Sequence, residues 1–197
     1  MRLIEQEPVP AGALPVVAFR DHLRLGSGFA DVAAEDAALE AYLRAALAAI
    51  EGRTAKALLA RRFLLELECW RGTGAQPLPV APVVSVEAMR LLDRAGGLSV
   101  VDPARYRLIR DLGRPRIAGV GGVLPPIPLG GAVEIVFTAG FGPGWAELPA
   151  DLAQAVFLLA AQYYESRHEG GGGQAMPFGV LALIERWRTV RVLGGQG

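Results

Sequence analysis

Histidine and cysteine are nearly missing from this chain, which carries His22, His168 and Cys69 and no others in 197 residues. One cysteine excludes an intramolecular disulfide framework. So small a stock of imidazole and thiol gives no spacing in which several ligands converge on a metal. Lysine is as scarce, Lys56 being the only one. With the abundant Ala and Gly, that bias toward arginine reads as GC-rich coding, and the functional alternative is bidentate arginine contact at subunit interfaces. Net charge is also absent, 20 basic residues balancing 20 acidic ones, which argues against a protein devoted to gripping a phosphate backbone. Long apolar runs are lacking. The longest, Leu152 to Tyr164, is interrupted by Gln154 and Gln162 and is too short to span a bilayer. The opening MRLIEQEPVP has no apolar region of signal-peptide type. The expectation is a soluble protein made in a reducing, intracellular compartment, with no membrane partner.

What is present is a globular composition, 52% apolar and 20% charged, in a chain long enough to bury a core without metals or disulfides. Helical patterns stand at both ends and strand patterns in the middle, an α+β arrangement. Val16, Phe19 and Leu23 mark a short amphipathic helix over Val16 to Leu25, stopped by Gly26-Ser27-Gly28. Asp31 or Glu35 begins a second helix with an apolar stripe of Leu39, Tyr42, Leu43, Ala46, Leu47 and Ile50. Gly52 ends or interrupts it, and Thr54 is placed to cap a further turn through Leu58 and Leu59. From Arg61 the period changes to two. Phe63, Leu65, Leu67 and Cys69 alternate with Leu64, Glu66, Glu68 and Trp70, so the cysteine is expected to be a buried, inert thiol on a strand. Further strands are expected at Val83 to Leu92, Leu98–Val101, Arg105–Arg110, Arg116–Ala118 and Val133 to Thr138. A helix then opens at Pro149 and Asp151 with Leu152, Val156, Leu159 and Tyr163 as its stripe. A glycine run follows at Gly170 to Gly173, and a last helix carries Val180, Leu181, Ile184 and Trp187 on one face.

The inventory for chemistry is thin. His22, between Asp21 and Arg24, reads as a solvated helix residue, and His168 as a cation at a helix C-terminus. The segments GVGG and AGFGPG lack the strand–loop–helix context of a dinucleotide fingerprint. Glu66 and Glu68 share a strand face, as paired carboxylates do in many enzymes, and spacing alone does not separate that from ordinary solvent exposure. Neither a catalytic residue nor a cofactor site is expected. A small hydrolase or ligand-binding domain with a pocket near Trp145 and Tyr163 is the alternative from another class. Arg105, Arg107, Arg110, Arg114 and Arg116 cluster on a hairpin around Asp111-Leu112-Gly113. They read either as a charged strand face that discourages aberrant pairing or as contacts for an acidic partner or passing DNA.

Taken in order, several segments resemble the head–tail connector (adaptor) proteins of long-tailed phages and phage-derived gene transfer agents. These are FRDHLRL, ALEAYLRAALAAIEGRTAKALL, RRFLLELECW, LPVAPVVSVEAMRLLD, ARYRL, VEIVFTAGFG, LPADLAQAVFLLAAQYYESR and LALIERWR. The likeness covers roughly residues 16–188; the loop from Gly119 to Gly131 and the tetraglycine match no pattern. The resemblance implies one adaptor domain over residues 1–197. In it a small helical bundle, from helices within about 16–60 and 149–188, holds an inserted antiparallel β-subdomain at about 61–140. It further implies a non-enzymatic structural subunit, made in the bacterial cytoplasm and mature at the head–tail interface of a virion or virion-like particle. About twelve copies would form a ring beneath the portal protein, extend the DNA channel without sequence-specific contact, and offer a platform to a stopper or other tail-side protein. A stopper or tail-completion protein is the nearest alternative.

In such relatives the C-terminal segment reaches the portal. Here the tail 189–197 is too short to offset about 1–2 kcal/mol of backbone entropy per residue by itself. It is expected to be disordered in the free subunit and to dock through Val190, Arg191, Val192 and Leu193. The apolar stripe of the long N-terminal helix is expected to pack partly on a neighbouring copy.

Overall fold

A computed structural model describes residues 1–25, 32–168 and 175–188, and the chain divides into two compact units, Met1–Leu14 with Lys56–Leu148 and Pro15–Ala55 with Pro149–Gly197. The described residues hold four α-helices and two antiparallel sheets, an α+β fold as the alternating periods predict.

The first unit contains eight strands: β1 (Arg2–Glu5), β2 (Arg61–Leu67), β3 (Ala75–Pro77), β4 (Val83–Leu92), β5 (Leu98–Val100), β6 (Tyr106–Ile109), β7 (Arg116–Gly119) and β8 (Ala132–Ala139). They form a five-stranded sheet in the order β1-β2-β8-β4-β5 and a three-stranded sheet in the order β3-β7-β6. The period-two pattern sets which face is buried. Phe63, Leu65 and Leu67 stand opposite Phe137, Ile135 and Val133, and Met89 stands opposite Ile135. All seven are buried, and the Phe63 and Phe137 rings stack at 5.7 Å. Tyr106 and Ile117 of the smaller sheet join the same core, with Leu78, Val101 and Leu124.

On the other face of the large sheet the register aligns charges into rows. Arg2 stands opposite Glu66, Glu66 opposite Glu134, and Glu134 opposite Arg90. The terminal pairs, Arg2–Glu66 and Arg90–Glu134, each close to 3.8 Å. In a parallel row the Thr138 hydroxyl donates to Glu87 at 2.6 Å and Arg62 Nε donates to the same carboxylate at 2.8 Å. The hydroxyl is the first cause, with the guanidinium behind it, that holds the Glu87 carboxyl below its ordinary range.

Three sequence expectations fail in this unit for physical reasons. Cys69 is exposed, because β2 ends at Leu67 and the alternation has no strand to continue on. The segment from Lys56 to Leu59 is extended rather than helical, with bridges from Lys56 to Ala81 and from Leu59 to Gly142. β1 and β3 were not anticipated: one is four residues of mixed character, and the other contains Pro77, which is tolerated because β3 lies at a sheet edge. The AGFGPG segment is a structural turn. Gly140 adopts φ +142°, and a Cβ there would lie 2.3 Å from the Ala60 backbone, so only glycine lets the chain pass.

The second unit holds α1 (Val16–His22), α2 (Val32–Thr54), α3 (Ala150–Glu165) and α4 (Phe178–Ile184). α2 packs on α3, which packs on α4. Of the predicted stripe, Leu39, Leu43, Ala46, Leu47 and Ile50 are buried and Tyr42 is half-buried. That corrects the expectation that the stripe packs partly on a neighbouring copy: α3 supplies Leu152, Val156 and Leu159, also buried, as its partner face. Each such side chain is worth about 1.5–3 kcal/mol of burial.

α2 passes through Gly52 and ends at Thr54, not near residue 60. Thr54 is no N-cap: its hydroxyl donates to the Ile50 carbonyl at 2.8 Å. Ala55 then turns left-handed at φ +56° and breaks the helix. At the other end of the unit Asp151 is more than a favourable charge on a helix terminus. Its Oδ2 accepts from Trp187 Nε1 at 2.7 Å and pairs with Arg186 Nε at 2.7 Å, tying the last described turn to the start of α3.

Candidate functional site

The arginine cluster rests on the hairpin that the sequence indicated. β6 and β7 pair with Arg107 opposite Ala118, Leu108 opposite Ile117, and Ile109 opposite Arg116. Tyr106, Leu108 and Ile117 turn inward, so Arg107 and Arg116 point to the other face, where both are exposed. The turn is held by Asp111, whose Oδ1 accepts from the Gly113 N–H at 2.8 Å and the Arg114 N–H at 2.7 Å. Those two N–H donors, Arg114 first, hold the Asp111 carboxyl below its ordinary range, and the charges of Arg114 and Arg116 add to the effect.

Arg105 ends a 3-10 turn, Pro103–Arg105, capped by Asp102, and is exposed like Arg114. Arg110 is tethered, donating to the Val84 carbonyl at 3.0 Å. Among the described residues no carboxylate stands within ion-pair distance of Arg105, Arg107 or Arg116. Arg107 and Arg110 line an open cavity of about 290 Å³ with Ser85, Glu87 and Tyr106. Burial raises the Tyr106 phenol, and the Asp102 charge raises it further.

The five arginines therefore come together on one hairpin and its flanks, as a spread of cationic forks rather than a convergent pocket. The chemistry of such a surface suits anionic groups. The described residues contain no group of three or more His, Cys, Asp and Glu side chains able to hold a metal ion, and no helix among them is long and apolar enough to cross a membrane.

The other expected site, Val190, Arg191, Val192 and Leu193, lies outside the described residues. Of the alternative pocket, Tyr163 lines an open cavity of about 440 Å³ with Ala49, Arg53, Leu159, Gln162 and Met176 in the helical unit. Trp145 is not among its lining residues and belongs to the other unit, in the 3-10 turn Trp145–Glu147. His22 is exposed, as expected, and its ring lies 5.3 Å from that of Phe157.

Sequence reasoning missed Lys56. The sequence reading explains the arginine bias by codon usage and leaves the one exception aside, yet Lys56 is 2% exposed, and that burial lowers its pKa while the charge of Asp111 works against the shift. Its isolation in a sea of arginine was the one available signal. The sequence reading also passed over β1, at one edge of the large sheet, which has no periodicity to find.

No protein-family model matches the chain, and no curated protein matches it. Solved structures do. A chain in the neck of an empty gene transfer agent particle, computed with C6 symmetry, is 65% identical over the whole of both chains, with a TM-score of 0.91. One in the neck of a native particle, computed with C12 symmetry, is 60% identical over the whole of both, with a TM-score of 0.87. A third, from the virion of a native gene transfer agent, is 66% identical over 99% of both, with a TM-score of 0.88. Likeness of this extent defines a structural component of a particle neck. The chain belongs to the head–tail connector proteins of gene transfer agents and long-tailed phages, which stand at the head–tail interface of the virion.

Proposed function

We propose that this chain is the adaptor subunit of its particle. Twelve copies form a ring beneath the portal protein, extend the channel through which DNA passes, and present a platform to the stopper or another tail-side protein. Both compact units act together as one adaptor domain, and the role is structural rather than catalytic. The observation that carries this reading is full-length identity of 60–65% with chains from necks computed with sixfold and twelvefold symmetry.

The residue assignments follow the chemistry of each segment. Val190, Arg191, Val192 and Leu193 are assigned to the portal, the apolar three supplying contact area for an added strand or clasp on that partner. Arg105, Arg107, Arg110, Arg114 and Arg116 give the channel or an acidic partner a cationic face. At zero net charge, contact with DNA is weak and independent of sequence.

The test mixes the full chain with the portal from the same source and images the product by electron cryomicroscopy. A twelvefold ring below the portal is the expected result, and deletion of Val190 to Gly197 should abolish it while the deleted protein keeps its melting transition. A portal that stays bare with the full chain overturns the reading.

A further inference from the structure

We infer that neighbouring copies of this chain join through the five-stranded sheet, β5 of one copy running parallel to β1 of the next. The inference rests on the ring reading above and specifies its subunit contact.

The first observation is the character of β5. Leu98 and Val100 are 55% and 68% exposed, and among the described residues β5 is an edge strand of its sheet. The strand has no charge, proline or bulge, the devices by which edge strands avoid partners. The second is the phase of its hydrogen bonds. Asp93 N–H donates to the Gly97 carbonyl and Val101 N–H to the Met89 carbonyl, each at 2.9 Å. With Leu91 opposite Ser99, residues 97, 99 and 101 are spent on β4, and the backbone groups of Leu98 and Val100 point outward. At the opposite edge Gln6 N–H donates to the Arg62 carbonyl at 3.0 Å, so Arg2, Ile4 and Gln6 face β2, while Leu3 and Glu5 point outward. Each edge thus offers two outward residues spaced by two.

Side-chain faces then choose the sense of the pairing. Leu98 and Val100 lie on the face of Leu92 and Arg90, and register carries that face across the sheet to Ile4. In a parallel ladder an outward residue bonds to the two residues flanking the one it opposes. Leu98 or Val100, bonded to Leu3 and Glu5, therefore opposes Ile4, and apolar side chains meet on one face. Antiparallel pairing through the same groups would set Val100 against Leu3 or Glu5, turning the neighbour's core side outward.

Strand direction gives the same answer independently. All four neighbouring strand pairs are antiparallel, so β1 and β5 run in the same direction. A rotation about an axis along the strands preserves that direction, and two different edges in repeated contact make a heterologous interface that closes into a ring. At a strand spacing of about 4.8 Å, five strands span about 24 Å per copy.

Two designs test the contact on rings assembled on the portal. Val100→Pro removes an outward N–H and no bond to β4, and it should weaken ring assembly at least tenfold. Ile4→Cys with Val100→Cys, and Ile4→Cys with Leu98→Cys, each with Cys69→Ser, cover the two registers. One of them should oxidise on the assembled ring into a covalent ladder reaching the full copy number, and should not do so before assembly. Rings of normal copy number in which neither pair cross-links overturn the inference and leave the ring reading standing, including where Val100→Pro fails to fold. If the wild-type chain forms no ring, the ring reading falls and this contact with it.

Discussion

The two sheets of the β-rich unit use arginine in opposite ways. On the large sheet, register brings arginines to carboxylates: Arg61 to Glu5 at 2.8 Å, Arg62 to Glu87, and Arg90 to Glu134 at 3.8 Å. On the small sheet Arg107 and Arg116 face outward with no carboxylate at ion-pair distance, and Arg105 beside them is the same. Where each cation already has its anion, the residue belongs to the fold. Where it has none, the charge is available to a partner, and only the second group is a candidate for function.

Four experiments break or sharpen that contrast. The largest effect should come from the core the sheets share: Phe137→Ala is expected to cost about 3–5 kcal/mol in chemical denaturation, since the ring is fully buried against Phe63. Next comes the hairpin turn. Asp111→Ala removes the acceptor for two N–H groups and should speed amide exchange at Gly113 and Arg114 about tenfold, the worth of an ordinary hydrogen bond. The folded-state carboxyl is depressed, so its stabilisation is present above the unfolded aspartate value and is lost as pH falls through the lower folded value. In the wild type the protection of the same amides, relative to their intrinsic exchange at each pH, should therefore fall only in acid, with the midpoint below the ordinary aspartate range.

A smaller change is expected from Glu134→Gln, about 0.2–1 kcal/mol and reduced by added salt. The smallest should come from replacing Arg105, Arg107 or Arg116 singly by Ala, with unfolding free energy held within about 0.5 kcal/mol. Loss of stability there as large as at Glu134 would erase the distinction between the two sheets. Unchanged stability with weakened binding of a tail-side protein or the channel DNA would confirm it.

How much of this was legible in the sequence follows from how local each cause is. β4 lies at Val83–Leu92 as its pattern predicts, and α3 starts beside Pro149, because periodicity and proline act within the segment itself. The arginine hairpin was legible for the same reason, through the Asp-Leu-Gly turn. Cys69 was misplaced because alternation says nothing about where a strand stops. The stripe of α2 leaves room for partial packing on a second copy in the sequence alone, because its partner, α3, begins almost a hundred residues further on. Whether an arginine meets a carboxylate depends on register between strands far apart in sequence, so Arg90 and Arg107 look alike until the sheet is assembled. The same applies to the edges: β5 was legible as a strand, but its position at the rim was not.

The junction at Asp151 rests on one side chain of the helical unit. Trp187 and Arg186 are both fastened to one carboxylate in the first turn of α3, immediately before the chain continues beyond Arg188. Loss of that one carboxylate would therefore release both contacts between the closing turn and α3 at once. The last described turn thus hangs on a single acceptor, and one charge sets whether α4 ends docked on the helix that precedes it.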